Sequence, residues 1–172
     1  FTKVDITGRA TERRAELDIT LRLAIESTDN KRIAIPLRMA NFHRLAPPDV
    51  SGVEDYYMTY SRDAGGYLLW VKTNQRREVM VRMKASARVD SATTRSLEFQ
   101  LPDATTNVVL TASQRNVTGD VVGEGYESLE NRVGPDGRNE FVVACGGGTF
   151  TVQWGRLERK VDEAPLLEVT SR

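Results

Sequence analysis

The sequence predicts an all-β fold, an antiparallel β-sandwich of about ten or more strands, and three observations carry the prediction. Apolar residues recur at every second position over long stretches, these stretches follow one another at short spacing, and no long helical stripe separates them. A large, partly closed barrel is the alternative way to arrange the same strands.

The clearest element covers residues 15–25, where Ala15, Leu17, Ile19, Leu21, Leu23 and Ile25 alternate with Glu16, Asp18, Thr20, Arg22 and Ala24. A strand turns successive side chains to opposite faces, so this pattern describes one buried and one solvated face. Ile33, Ile35, Leu37 and Met39 continue the pattern after the turn-like "STDNK" and read as the hairpin partner of residues 15–25. Pro36 falls on the alternate face, where an edge strand or a bulge tolerates it. "DYYMTYSRDAGGYLLWVK" reads as an aromatic hairpin with its loop at residues 63–66. In that hairpin Met58, Tyr60, Leu69 and Val71 share one face, and Tyr57 and Trp70 fall on the other.

A further long run sets Val79, Val81, Met83, Ala85, Ala87 and Val89 against Arg82, Lys84, Ser86 and Arg88. Leu97, Phe99 and Leu101 form a shorter strand that stops at Pro102, followed by "NVVLTA", "NEFVVAC" and "TFTVQW". Helical evidence is confined to "RMANFHRLAPP" and "GEGYESLENRV", each long enough for a turn or two and neither with a convincing stripe.

With 172 residues, the chain suits one domain with a single core. Residues 1–160 read as that β-sandwich domain, and residues 161–172 as a linker and the start of a truncated next module, "LLEVTSR". A chain that starts at Phe1 without an initiator methionine or signal pattern reads as a segment of something longer. Lys plus Arg (24) equals Asp plus Glu (24), so no net field draws the chain to nucleic acid. Its apolar runs fall far short of the roughly 20 residues that cross a bilayer, so no direct membrane insertion is expected.

"VACGGGTF" holds the one cysteine of the chain, Cys145, beside Gly146, Gly147 and Gly148. A reactive thiol needs a base, and the one imidazole is His43, which reads as a loop or capping residue. The competing reading is a two-residue hairpin turn at Gly147 and Gly148, which sets Cys145 opposite Phe150, Val143 opposite Val152 and Phe141 opposite Trp154. Since every pair is apolar, Cys145 is expected to be a small buried hydrophobe.

Other chemistries find little support. No phosphate-binding glycine motif or G-x-S-x-G elbow occurs, and one cysteine with one histidine falls short of a structural zinc set, so no cofactor or metal is expected. Glu54 with Asp55, and Asp136 with Glu140, lack the dense acid alternation of a calcium loop. The Arg82, Lys84, Arg88 ladder, preceded by Lys72, Arg76 and Arg77, reads as a solvated strand face that meets acids such as Glu16 and Asp18. The sequon "NVT" at Asn116 matters only along a glycosylating secretory route.

"IPLRMANF", "GGYLLWVK", the basic alternating strand, "RSLEFQLPDATTNVVLT", "FTVQWGR" and "APLLEVTSR", in that order, resemble a β-rich module of large exported or cell-envelope proteins of planctomycete-type bacteria. The resemblance spans most of residues 15–172 and brings no assigned activity. It implies an extracytoplasmic setting, periplasm or cell envelope, within a larger protein.

The resulting expectation is a non-catalytic structural or interaction module whose partners are neighbouring domains or other proteins, and not an enzyme. A carbohydrate-binding module using Tyr57 and Trp70, with Glu54 and Asp55 beside them, is the alternative, and it requires the aromatic face to be exposed rather than covered. A carboxylate-dependent hydrolase is the third, and it requires two acids paired in a cleft.

Overall fold

The computed structural model describes residues 1–91, 94–123 and 125–156. The proposed linker and truncated module at residues 161–172 lie outside the described residues. In chain order the strands are β1 (Lys3–Ala10), β2 (Arg14–Ile25), β3 (Arg32–Met39), β4 (Phe42–Arg44), β5 (Asp49–Ser51), β6 (Tyr56–Ser61), β7 (Gly66–Lys72) and β8 (Arg77–Arg88). They continue with β9 (Asp90–Ser91), β10 (Arg95–Leu101), β11 (Thr105–Ala112), β12 (Val117–Gly123), β13 (Tyr126–Val133), β14 (Asn139–Cys145) and β15 (Gly148–Arg156). No helix occurs among the described residues, and the two short stretches with helical character fall in or around β4 and β13.

One sheet of eight strands runs β13-β14-β11-β1-β2-β8-β4, with β5 also paired to β8. Its longest ladder is β2–β8, in which Leu17 meets Ala85, Ile19 meets Met83 and Leu21 meets Val81. The alternating apolar residues of both strands are buried, as their patterns require. The pairing of β2 differs from expectation: its neighbours are β1 and β8, while β3 pairs with β7 in another sheet. Alternation fixes which face a strand buries but carries no information about which strand lies beside it. One pair, β1 with β11, is parallel, so the sheet is mixed rather than wholly antiparallel.

A four-stranded sheet (β12-β15-β10-β9) and a three-stranded sheet (β3-β7-β6) oppose the large one, giving a β-sandwich and no closed barrel among the described residues. The rings of Phe42 and Phe99 meet edge to face at 5.8 Å, and those of Phe141 and Trp154 pack tilted by 37° at 5.9 Å, joining the large sheet to the four-stranded one. The Tyr67 hydroxyl links the three-stranded sheet to β4, donating to the Phe42 carbonyl at 3.1 Å and accepting from the Arg44 N–H at 3.0 Å. Strand β3 is an edge strand with an irregularity between Pro36 and Arg38, which accommodates the missing N–H as expected.

The glycine run is not a hairpin turn. Strand β14 pairs with β11 and β13, whereas β15 pairs with β10 and β12, so the chain crosses from one sheet to the other at Gly146–Gly147. Phe141, Val143, Cys145, Phe150, Val152 and Trp154 are all buried, yet they line opposing layers instead of one hairpin face. Gly147 (φ 89°) and Gly148 (φ 84°) take left-handed backbone conformations, and Gly147 lies against the Pro102 carbonyl, where no Cβ fits. The Ala104 N–H donates to the Gly146 carbonyl at 2.9 Å, anchoring the corner to the start of β11.

Candidate functional site

The three-stranded sheet carries the aromatic hairpin. Ser61 pairs with Gly66 and Tyr60 with Tyr67, so the loop occupies residues 62–65, one position earlier than the sequence predicts. Gly65 (φ 72°) and Gly66 (φ 135°) supply the left-handed bends that a four-residue connection needs here. The face assignment is unaffected, because the shift preserves parity. Leu69 and Val71 are buried and Met58 packs against the core, while Tyr57 and Trp70 point outward.

Register defines the outer face in three rows. Asp55 and Lys72 join through the Lys72 N–H to the Asp55 carbonyl, with Arg32 opposite Lys72 on β3. Tyr57, Trp70 and Ala34 form the next row, and Thr59, Leu68 and Pro36 the third. The middle row is the chemical focus. The Tyr57 and Trp70 rings lie near-parallel, 13° apart with centroids at 5.7 Å, which is an offset stack. Tyr57 is 42% exposed and Trp70 half-buried, and the Trp70 Nε1–H donates to Thr59 Oγ1 at 2.9 Å.

Arg32 completes the cluster. Its side chain crosses the central strand to place the guanidinium 5.0 Å from the Tyr57 ring centroid. From there Nη2 reaches both oxygens of Asp55, at 2.8 and 2.9 Å. Sequence reasoning missed Arg32, whose only signal was its position on the solvated face of β3, four residues before Pro36.

Asp55 also lines a cleft of about 520 Å³ at the end of the hairpin, together with Asn30, Glu54, Lys72, Asn74 and Arg77. Of the residues predicted to bind, Tyr57, Trp70 and Asp55 therefore come together in one cluster. Glu54 joins Asp55 only in the cleft. The acid pairing that a glycosidase needs is weakened because both Asp55 oxygens are held by Arg32.

The remaining motifs resolve into structural roles. Cys145 is buried, and its thiol lies within hydrogen-bonding range of the Gly147 backbone and the Thr106 side chain. Burial pushes its pKa up, against a smaller lowering from the Gly147 N–H. His43 is exposed on β4, separated from β14 by β11, β1, β2 and β8. Five strand spacings of about 4.8 Å put the two side chains roughly 24 Å apart, too far for a thiol–imidazole pair.

Arg82 meets Asp49 at 3.3 Å, Lys84 meets Asp18 at 3.9 Å and Arg88 meets Asp90 at 3.5 Å, so the basic ladder is charge-matched locally. Asp136 and Glu140 are taken by Arg138 and Arg132, and no group of three metal-ligating side chains occurs among the described residues. Asn116 (φ 56°) occupies an exposed turn between β11 and β12. No helix among the described residues is long and apolar enough to cross a membrane.

No protein-family model matches the chain, and no curated protein matches it in sequence.

Proposed function

We propose that the chain is a non-catalytic interaction module of a larger protein and that the outer face of β3, β7 and β6 is its contact surface. The observation that carries this reading is the exposed Arg32–Tyr57–Trp70 cluster, held in place by Asp55 and Thr59. Arg, Tyr and Trp dominate the energetics of protein contacts, because the two aromatics bring a large apolar area and a polar handle at modest entropic cost and Arg brings a planar, always-charged fork of donors. Here they are fixed before any partner arrives, which lowers the ordering cost of binding. Leu68 and Pro36 in the adjoining row extend the apolar area. The extracytoplasmic, envelope-protein setting belongs to this proposal and rests on the sequence resemblance.

A glycan-binding reading is favoured by one observation, the 42% exposure of Tyr57. It is weaker because the ring faces that a sugar would stack on are partly occupied, by Trp70 on Tyr57 and by Arg32 over Tyr57.

Crosslinking distinguishes the two. Lys72 lies on the same face, so an amine-reactive crosslinker applied to the parent protein is expected to join Lys72 to a neighbouring domain or protein. Those crosslinks should disappear in Trp70→Ala and Arg32→Ala variants that keep their circular dichroism. Glycan-array binding lost in Trp70→Ala, without protein crosslinks from Lys72, would replace this reading by the carbohydrate one.

A further inference from the structure

We propose that the outer edge of β13 pairs antiparallel with the same edge of a second copy of this chain, centred on Asn131. The large sheets of two molecules then join into one.

Strand edges expose unpaired N–H and C=O groups, and most edges of this fold are closed. On β12, the Val117 N–H donates to Asn139 Oδ1 at 3.3 Å, and Gly119 is held at both backbone groups by the Asn131 side chain, at 2.6 and 3.1 Å. The facing edges of β3 and β10 are bridged where Arg38 Nη1 donates to the Leu101 carbonyl and Asn41 Nδ2 to the Glu98 carbonyl. Strands β4 and β5 are only three residues each. Two longer edges stay open among the described residues, the six-residue β6 and the eight-residue β13; β13 is the longer, and on it only Leu129 is half-buried. Val133 is 68% exposed.

The backbone presents a consistent set of groups along this edge. The Gly134 N–H points to β14, donating to the Arg138 carbonyl at 2.8 Å. Antiparallel alternation sends Arg132 and Glu130 the same way and turns the N–H and C=O groups of Leu129, Asn131 and Val133 outward.

The side chains are self-complementary about one point. A two-fold axis normal to the sheet through Asn131 sets Glu130 opposite Arg132 of the second copy, and Leu129 opposite Val133 of the second copy, each twice. Both charged residues are exposed and share the outer face of the sheet, where Arg132 pairs with Glu140 at 2.9 Å. Glu130 has no ion-pair partner among the described residues. The register is also guarded: sliding by one step in either direction puts Glu130 opposite Glu130 or Arg132 opposite Arg132. An edge defended against self-pairing would carry one sign of charge, whereas here the two signs match across the two-fold axis in a single register.

Sedimentation velocity over a concentration series tests this on the full 172-residue chain. The wild type is expected to show a monomer–dimer equilibrium, weak because the interface is small. Glu130→Arg and Arg132→Glu should each lose about tenfold or more in self-association, since both put like charges opposite each other, and an equimolar mixture of the two should form the heterodimer. Leu129→Cys mixed with Val133→Cys, each in a Cys145→Ala background that leaves Asn131 on Gly119, should form an intermolecular disulfide under mild oxidation, and this measurement carries the test alone if Arg132→Glu fails to fold. A wild type monomeric throughout with that cysteine pair uncrosslinked, or single reversals that dimerise as well as the wild type, would overturn the proposal.

Discussion

Trp154 and Phe141 meet across the sandwich with ring centroids 5.9 Å apart, one on β15 and the other on β14, although a hairpin reading of the sequence places them side by side. The Trp154 Nε1–H donates to Gln114 Oε1 at 3.2 Å, which satisfies its one polar atom inside the core. Gly119, on β12 beside Trp154, leaves the space that the Phe141 ring fills, since a Cβ there would sit 2.5 Å from Phe141 Cδ1.

Phe141→Ala is therefore expected to destabilise the fold by about 3–5 kcal/mol through lost burial and the cavity left behind. Gly119→Ala should destabilise by overpacking, and Gly119→Ala combined with Phe141→Leu should cost less than the sum of the two. Urea unfolding followed by circular dichroism measures these variants together with Phe141→Leu alone, and strict additivity of Gly119→Ala and Phe141→Leu would contradict the contact.

Much of this interior is legible in the sequence because burial in a strand has period 2. The inward residues of β2, β8 and β10, and the placement of Tyr57 and Trp70 on the face opposite Met58 and Leu69, follow from alternation, whereas the exposure of that second face does not, because alternation cannot say whether another layer covers it. Pairing is a different matter. Apolar faces are interchangeable, so Ile33 to Met39 satisfies alternation as well beside β7 as beside β2, and Phe141 to Cys145 as well across the sandwich from β15 as next to it. Strand β1 escaped notice because Gly8 stands at an inward position after only Val4 and Ile6, and its parallel partner β11 is about one hundred residues away. The same limit hid Arg32, whose role depends on crossing over β7 to reach Asp55.

The sheet-to-sheet corner gives a sharper test of the same point. Gly147→Ala meets both a left-handed φ and the Pro102 backbone, whereas Gly148→Ala meets open space and only the φ cost. Gly148→Ala should lose about 1 kcal/mol, and Gly147→Ala clearly more. Equal losses at the two positions, measured by chemical unfolding, would fit a symmetric two-residue turn better than a corner.

Cys145 links stability to alkaline pH. Burial raises its pKa above the ordinary value of 9.0, so the unfolded chain loses the thiol proton first as pH rises. Its contribution to stability is complete below pH 9, declines as pH climbs above that value, and levels off once the folded-state thiol also ionises. Cys145→Ala should flatten that part of the stability–pH curve, read from urea midpoints between pH 7 and pH 10. Native protein should also react with a bulky thiol reagent only at the rate of opening, and rapid labelling at neutral pH would show that the thiol is reachable without unfolding.

The two tryptophans separate the core from the proposed contact face. Trp154 is 1% exposed, while Trp70 is half-buried on the outer face with its Nε1–H on Thr59. In Trp70→Phe only Trp154 emits, and its fluorescence should be blue-shifted and resist acrylamide quenching. In Trp154→Phe the remaining Trp70 emission should be red-shifted and quenched readily. Arg32→Ala removes the guanidinium beside Tyr57 and frees Asp55, so it should increase quenching of Trp70 further while costing at most about 1 kcal/mol, as expected for a largely exposed ion pair. Trp70 quenching that is insensitive to Arg32→Ala would show that the cation does not shield the aromatic pair. The cluster would then lack the pre-set geometry on which the proposed contact surface depends.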